Sequence, residues 1–99
     1  MSNPRPVYAR YVCRVLESDF GEIRMIVTHV ESGGRFDVFH SLLSVREEDQ
    51  HKIKLGSILY LTLHQCEAYE PRKRLLADLM TLEPPDWWTP ELAKRIGDV

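Results

Sequence analysis

Between Val7 and Leu16 the side chains alternate: Val7, Ala9, Tyr11, Cys13 and Val15 fall on one side, and Tyr8, Arg10, Val12, Arg14 and Leu16 on the other. A period of two in β-branched and aromatic types is the pattern of a strand lying with one face on a core. A chain that opens this way must build a sheet. The polar stretch Glu17 to Gly21 reads as a turn, and Glu22 to Val30 resumes with Ile23, Met25 and Val27 on one face. Ile26 and Val30 break that alternation, so cover is expected on both faces of the second strand.

Glu31, Ser32, Gly33 and Gly34 carry the clearest hairpin signal, because glycines accept the positive φ angles of tight β-turns. A third strand follows from Arg35 to about Leu42. Ser44 with Glu47 three residues on fits a capping box, and the charged run Val45 to Lys52 predicts a short exposed helix. After a turn at Lys54 to Ser57, Ile58 to Tyr69 reads as a long fourth strand ended by Glu70 and Pro71, since proline cannot donate to a ladder. Leu75 to Leu82 reads as a fifth strand, although its leucines also suit a helix. In the tail, Thr89, Pro90, Glu91, Lys94, Arg95 and Gly97 occupy the N-cap, first-turn, last-turn and C-terminal positions of a two-turn helix. Such a helix needs something to dock against.

With 99 residues, 43% of them apolar, the chain suits one domain. The expected division is a barrel over 1–83 and a Pro- and Trp-containing tail over 84–99. Met1 to Tyr8 holds no apolar leader core, and no uncharged apolar run approaches the ~20 residues of a membrane span. A soluble, cytoplasmic protein is therefore expected. Cys13 and Cys66 lie in apolar runs without metal or redox spacing and are expected as buried thiols. Thirteen Lys and Arg against fifteen Asp and Glu leave a formal charge of −2, so any site for a polyanion has to be a local patch.

Three strands, a short helix and two further strands is the order of the OB-fold, a five-stranded Greek-key barrel. An SH3-like barrel is the alternative, lacking the helix after the third strand. Within the OB class the chain resembles the cold-shock domain: Asp19, Phe20, Gly21, Glu22 and Ile23 look like its first motif, Asp37, Val38, Phe39, His40 and Ser41 like its second, and Leu55, Gly56 and Ser57 like its turn before the fourth strand. The chain departs from the family in having Glu22 where a second aromatic stands, and in having one residue fewer between the Phe and the His of the second motif. That deletion sends His40 to the other face of the sheet unless a bulge restores it.

The resemblance implies a non-catalytic module binding single-stranded RNA or DNA by base stacking and phosphate contacts. The expected residues are Tyr8, Arg10, Arg14, Arg24 and Phe39 on the strands, Phe20 in the first loop, and Tyr69, Arg72, Lys73 and Arg74 around the turn between strands four and five. The same strand arginines also read as surface positions paired with Glu17, Asp19, Glu22 or Asp37, and the aromatics as core. A protein partner is the alternative ligand, with Trp87 and Trp88 as its anchors, unless the two indoles cap the barrel. The four histidines are scattered without ligand spacing, and no nucleophile motif is present, so no metal, no cofactor and no catalysis are expected.

Overall fold

The computed structural model describes residues 7–66 and 74–97. Its elements are β1 (Val7–Asp19), β2 (Glu22–His29), β3 (Arg35–Ser41), a 3-10 turn (Leu42–Ser44), α1 (Glu47–Gln50), β4 (Ile58–Cys66), β5 (Arg74–Ala77) and α2 (Pro90–Ile96). The protein is mainly β. Four strands form the body of an antiparallel sheet, and the short β5 extends it beside β4, in the order β3-β2-β1-β4-β5. β3 and β5 are thus its two edges, and no β3–β5 pairing that would close a barrel is present among the described residues. The chain is tied across the opening at one end, where Val45 and Met80 form a parallel bridge. There the Met80 N–H donates to the Ser44 carbonyl at 2.9 Å and the Arg46 N–H to the Met80 carbonyl at 2.8 Å.

β1 carries the sheet because both its edges are used. Cys13 lies opposite Val27 of β2 and Leu59 of β4, and Val12 opposite Thr28 and Tyr60. Directly opposed residues share a face, so the inner face collects Cys13, Val15, Ile23, Met25, Val27 and Leu59, sealed by Val45 and Met80. The alternation of β1 and β2 is fulfilled on this side. On the outer face Val12 and Thr28 are also buried, which explains why Ile26 and Val30 break the simple pattern: that side is partly covered as well.

Four local expectations are corrected. β1 continues through Glu17–Asp19 instead of breaking there, because a bulge at Leu16 absorbs one residue between Val15 and Glu17 and turns Glu17 toward Arg24. The capping box at Ser44 is not used. Ser44 ends the 3-10 turn and Val45 is held extended against Met80, so α1 starts at Glu47 with Arg46 as an N-cap lacking a side-chain cap bond, while Ser41 caps the 3-10 turn. Nor is this helix merely exposed, since Asp49 is buried and its carboxylate accepts the Leu82 N–H at 3.0 Å. The fifth strand is broken as well. After Ala77 the chain bulges at Asp78 and Leu79, then rejoins β4 through Thr81 opposite Tyr60. α2 has its expected caps: the Thr89 hydroxyl accepts the Leu92 N–H, Pro90 opens the first turn and Gly97 ends it at φ 74°.

The Leu82 N–H first, and Arg46 second, hold the Asp49 carboxyl below its ordinary value of 3.8 against the opposing effect of burial. A depressed folded-state pKa stabilises the fold above about pH 4, and that contribution fades as acid protonates the folded carboxylate. Asp49→Ala is therefore expected to cost on the order of 2 kcal/mol at neutral pH in chemical denaturation, with the gap to wild type narrowing below about pH 4. A gap independent of pH would contradict this role.

Candidate interaction face and open seam

The ladder register places the expected site residues. Arg10 and Arg14 share the outer face of β1 with Val12, and Arg24 lies opposite Phe39 on the same face of β2 and β3. Tyr8 falls in the irregularity between Val7 and Ala9 and is exposed. Phe20 stands at the tip of the β1–β2 turn. Tyr69, Arg72 and Lys73 lie outside the described residues, and Arg74 is placed only as the first backbone position of β5.

Geometry separates these residues into three groups. Arg10 belongs to the tail: its guanidinium stacks 5.6 Å from the Trp87 ring centre and donates to Glu31 at 2.7 Å. Burial opposes the charge on Glu31, but Arg10 and the neighbouring His29 still hold its pKa below the ordinary carboxylate value. Trp87 donates its indole N–H to the Thr62 hydroxyl at 2.8 Å, and both Trp87 and Trp88 pack on Tyr60. The tail therefore lies on the outer face of β1 and β4, over the Val12 and Tyr60 rungs, and Arg95 secures its far end by donating to the Val30 carbonyl.

Arg24 forms the second group. It grips Asp37 at 2.6 Å and reaches Glu17 at 3.4 Å, so the pairing across strands with acids is realised here. These bonds raise the Arg24 pKa and lower that of Asp37. The third group is aromatic. Phe20 is 98% exposed and Phe39 65%, which rules out core packing for both. A shallow depression between them is lined by Glu17, Asp19, Glu22 and Arg24, three carboxylates to one guanidinium. The β2–β3 register runs without a bulge, so His40 faces inward opposite Ile23 while Phe39 faces outward.

Sequence reasoning did not anticipate the seam between β3 and the chain around Leu79. None of the seven residues of β3 is buried, and beside them an apolar cleft of about 460 Å³ runs over the inner face. Tyr11, Phe36, Leu43, Leu63 and Leu79 line it, with His40 and Asp78 as polar points. Asp78 is paired with His64 at 2.7 Å. The signal was present in β3 itself: its composition, Arg-Phe-Asp-Val-Phe-His-Ser, places an aromatic on each face of a strand at the edge. Among the described residues no group of His, Cys, Asp and Glu could hold a metal ion, and no helix is long and apolar enough to cross a membrane. Cys13 is a buried thiol whose pKa desolvation pushes up to about 12. Set against known proteins, the chain matches no family model, no curated protein and no solved structure.

Phe20 occupies the first central position of its turn at φ 47°, followed by Gly21 at φ 79°. A left-handed backbone costs an ordinary side chain roughly 1 kcal/mol, a cost that asparagine largely escapes. Phe20→Asn should raise stability by about 1 kcal/mol and thermal unfolding by a few degrees. An unchanged or lower melting temperature would show that the exposed ring serves the fold.

Proposed function

We propose that this chain is a non-catalytic binding module, an OB-like Greek-key barrel whose β3–β5 seam is left open to receive a strand from a protein partner. One observation carries the reading: β3 pairs only with β2 among the described residues, and none of its seven residues is buried. An edge strand with free N–H and C=O groups and apolar side chains is a template for strand addition, and proteins that do not use such an edge blunt it. Here it is flanked by an apolar cleft on the inner side and by the exposed Phe39 on the outer.

Charge specifies the partner further. The outer rim near Phe20 and Phe39 carries Glu17, Asp19, Glu22 and Asp37, so a strand with apolar residues inward and basic residues outward complements both faces. Single-stranded RNA or DNA is the competing ligand. The acidic rim disfavours phosphate, and Arg10 and Arg24 are already bound to carboxylates. In this reading Trp87 and Trp88 stabilise the module instead of gripping the partner.

The test is an NMR titration of the ¹⁵N-labelled chain with two short peptides, one alternating valine and lysine and one alternating valine and glutamate, beside an oligo-pyrimidine. The lysine peptide is expected to shift residues 35–41 together with Phe20 and Gly21, and the glutamate peptide to leave them in place. Asp37→Lys should weaken the lysine peptide by about tenfold, the effect of bringing like charges together. Failure of the lysine peptide to bind overturns the proposal. So does oligo-pyrimidine binding at these residues that weakens steeply with salt, which marks phosphate contacts.

A further inference from the structure

β3 and β5 run in the same direction on the two sides of the seam. Each is joined to β1 through one antiparallel strand, β2 or β4, so both lie parallel to β1 and hence to each other. The parallel bridge between Val45 and Met80 continues that relation just beyond them and closes the seam at one end. Between two edges of like direction, one added strand is either antiparallel to both or parallel to both. Antiparallel pairing is the more stable per residue.

The hydrogen-bond phase decides which backbone groups would meet such a strand. In an antiparallel ladder, opposed residues alternate between bonded pairs and pairs whose N–H and C=O groups turn away from each other. The Leu42 N–H donates to the Gly21 carbonyl at 2.7 Å and the His29 N–H to the Gly34 carbonyl at 2.8 Å, both in step with the β2–β3 register. Phe36, Val38 and His40 therefore bond to β2, while the backbone groups of Asp37, Phe39 and Ser41 point into the seam. On the far side the Asp78 N–H donates to the Thr62 carbonyl at 3.0 Å, which turns the N–H and C=O of Ala77 away from β4 toward the same gap. Beneath the gap, Phe36 and His40 from one side and Ala77 and Leu79 from the other line a single apolar cleft.

We infer that the partner's strand inserts between β3 and β5, antiparallel to both, as a sixth strand of the five-stranded sheet. The inference rests on the reading of the seam as a site of strand addition, and it fixes the direction and the second edge that this reading leaves open. Partner residues opposite Asp37 and Phe39 share their outer face, where the carboxylates of Asp37 and Glu22 favour basic side chains. The residues between them point into the cleft against Phe36, Leu63 and Leu79 and are apolar. The N-terminal end of the inserted strand abuts the Val45–Met80 bridge, and its C-terminal end leaves at the start of β3.

A nitroxide at either end of the alternating valine and lysine peptide reads the direction by paramagnetic broadening in the ¹⁵N-labelled chain. The N-terminal label should broaden the amides of Ser41 and Leu43, and the C-terminal label those of Gly34 and Phe36. Ala77 and Leu79 should shift together with β3 on binding. Ala77→Pro removes a donor on the seam side only, at an edge where proline is tolerated, and should weaken the peptide by about tenfold with the melting temperature nearly unchanged. Broadening in the reverse order, or shifts confined to residues 35–41 with Ala77→Pro binding as tightly as wild type, overturns insertion and leaves strand addition at β3 standing. No response at residues 35–41 removes both. The broadening is read on the wild-type chain, so it decides the direction even where the proline variant does not fold.

Discussion

Everything in this fold depends on β1 being covered on four sides. Its two edges are paired with β2 and β4, its inner face is sealed by Met25, Leu59, Val45 and Met80, and its outer face around Val12 lies beside the docked tail. Val12 makes the constraint concrete. It is fully buried on the face opposite the core, between Thr28 and Tyr60, and the tryptophans that pack on Tyr60 shield that side. Burying such a side chain contributes roughly 1.5–3 kcal/mol, a large share of what a domain this size has to spare. The tail is in this sense part of the sheet's second layer, fixed by the Trp87–Thr62 hydrogen bond, the stacking of Arg10 and the reach of Arg95.

A sheet anchored so strongly at its centre tolerates a weak edge. β3 contributes little to the core, with Val38 its single partly buried residue, and the Val45–Met80 bridge holds the chain beyond it. The electrostatics follow the same division. Positive charge on the outer face is tied up near the tail by Glu31 and near the first turn by Asp37 and Glu17. Around Phe20 and Phe39 the exposed surface is aromatic and acidic, and that combination selects the chemistry of an approaching partner.

Local patterns in the sequence account for much of this architecture. The alternation of β1 and β2, the Gly33 turn, the Gly56 turn and the Thr89–Pro90–Gly97 caps each act within a few residues, and each is realised. Features set by long-range contacts were not legible. Asp49 looks like one more acid in a charged helix, and its burial depends on an amide more than thirty residues away. Ser44 fits a cap, but it ends a 3-10 turn and its carbonyl accepts the Met80 N–H, and the extended Val45 that follows keeps the helix from starting there. The bulge at Leu16 inverts the parity of Glu17, and only the β2 register reveals it. The polar residues around Phe20 mark a loop, yet its left-handed conformation follows from the tightness of the turn. The seam was hidden most completely, since five strands in barrel order say nothing about whether the last pairing forms.

Amide hydrogen exchange measured residue by residue along Arg35–Ser41 reads whether that edge is open. Amides directed at β2 should be protected almost as well as those of β1, while those on the opposite edge exchange at rates close to unstructured chain, giving an alternating pattern. Uniform protection of all seven at the level of β1 would mean that a strand already fills the seam, and β3 could not then serve as an open edge.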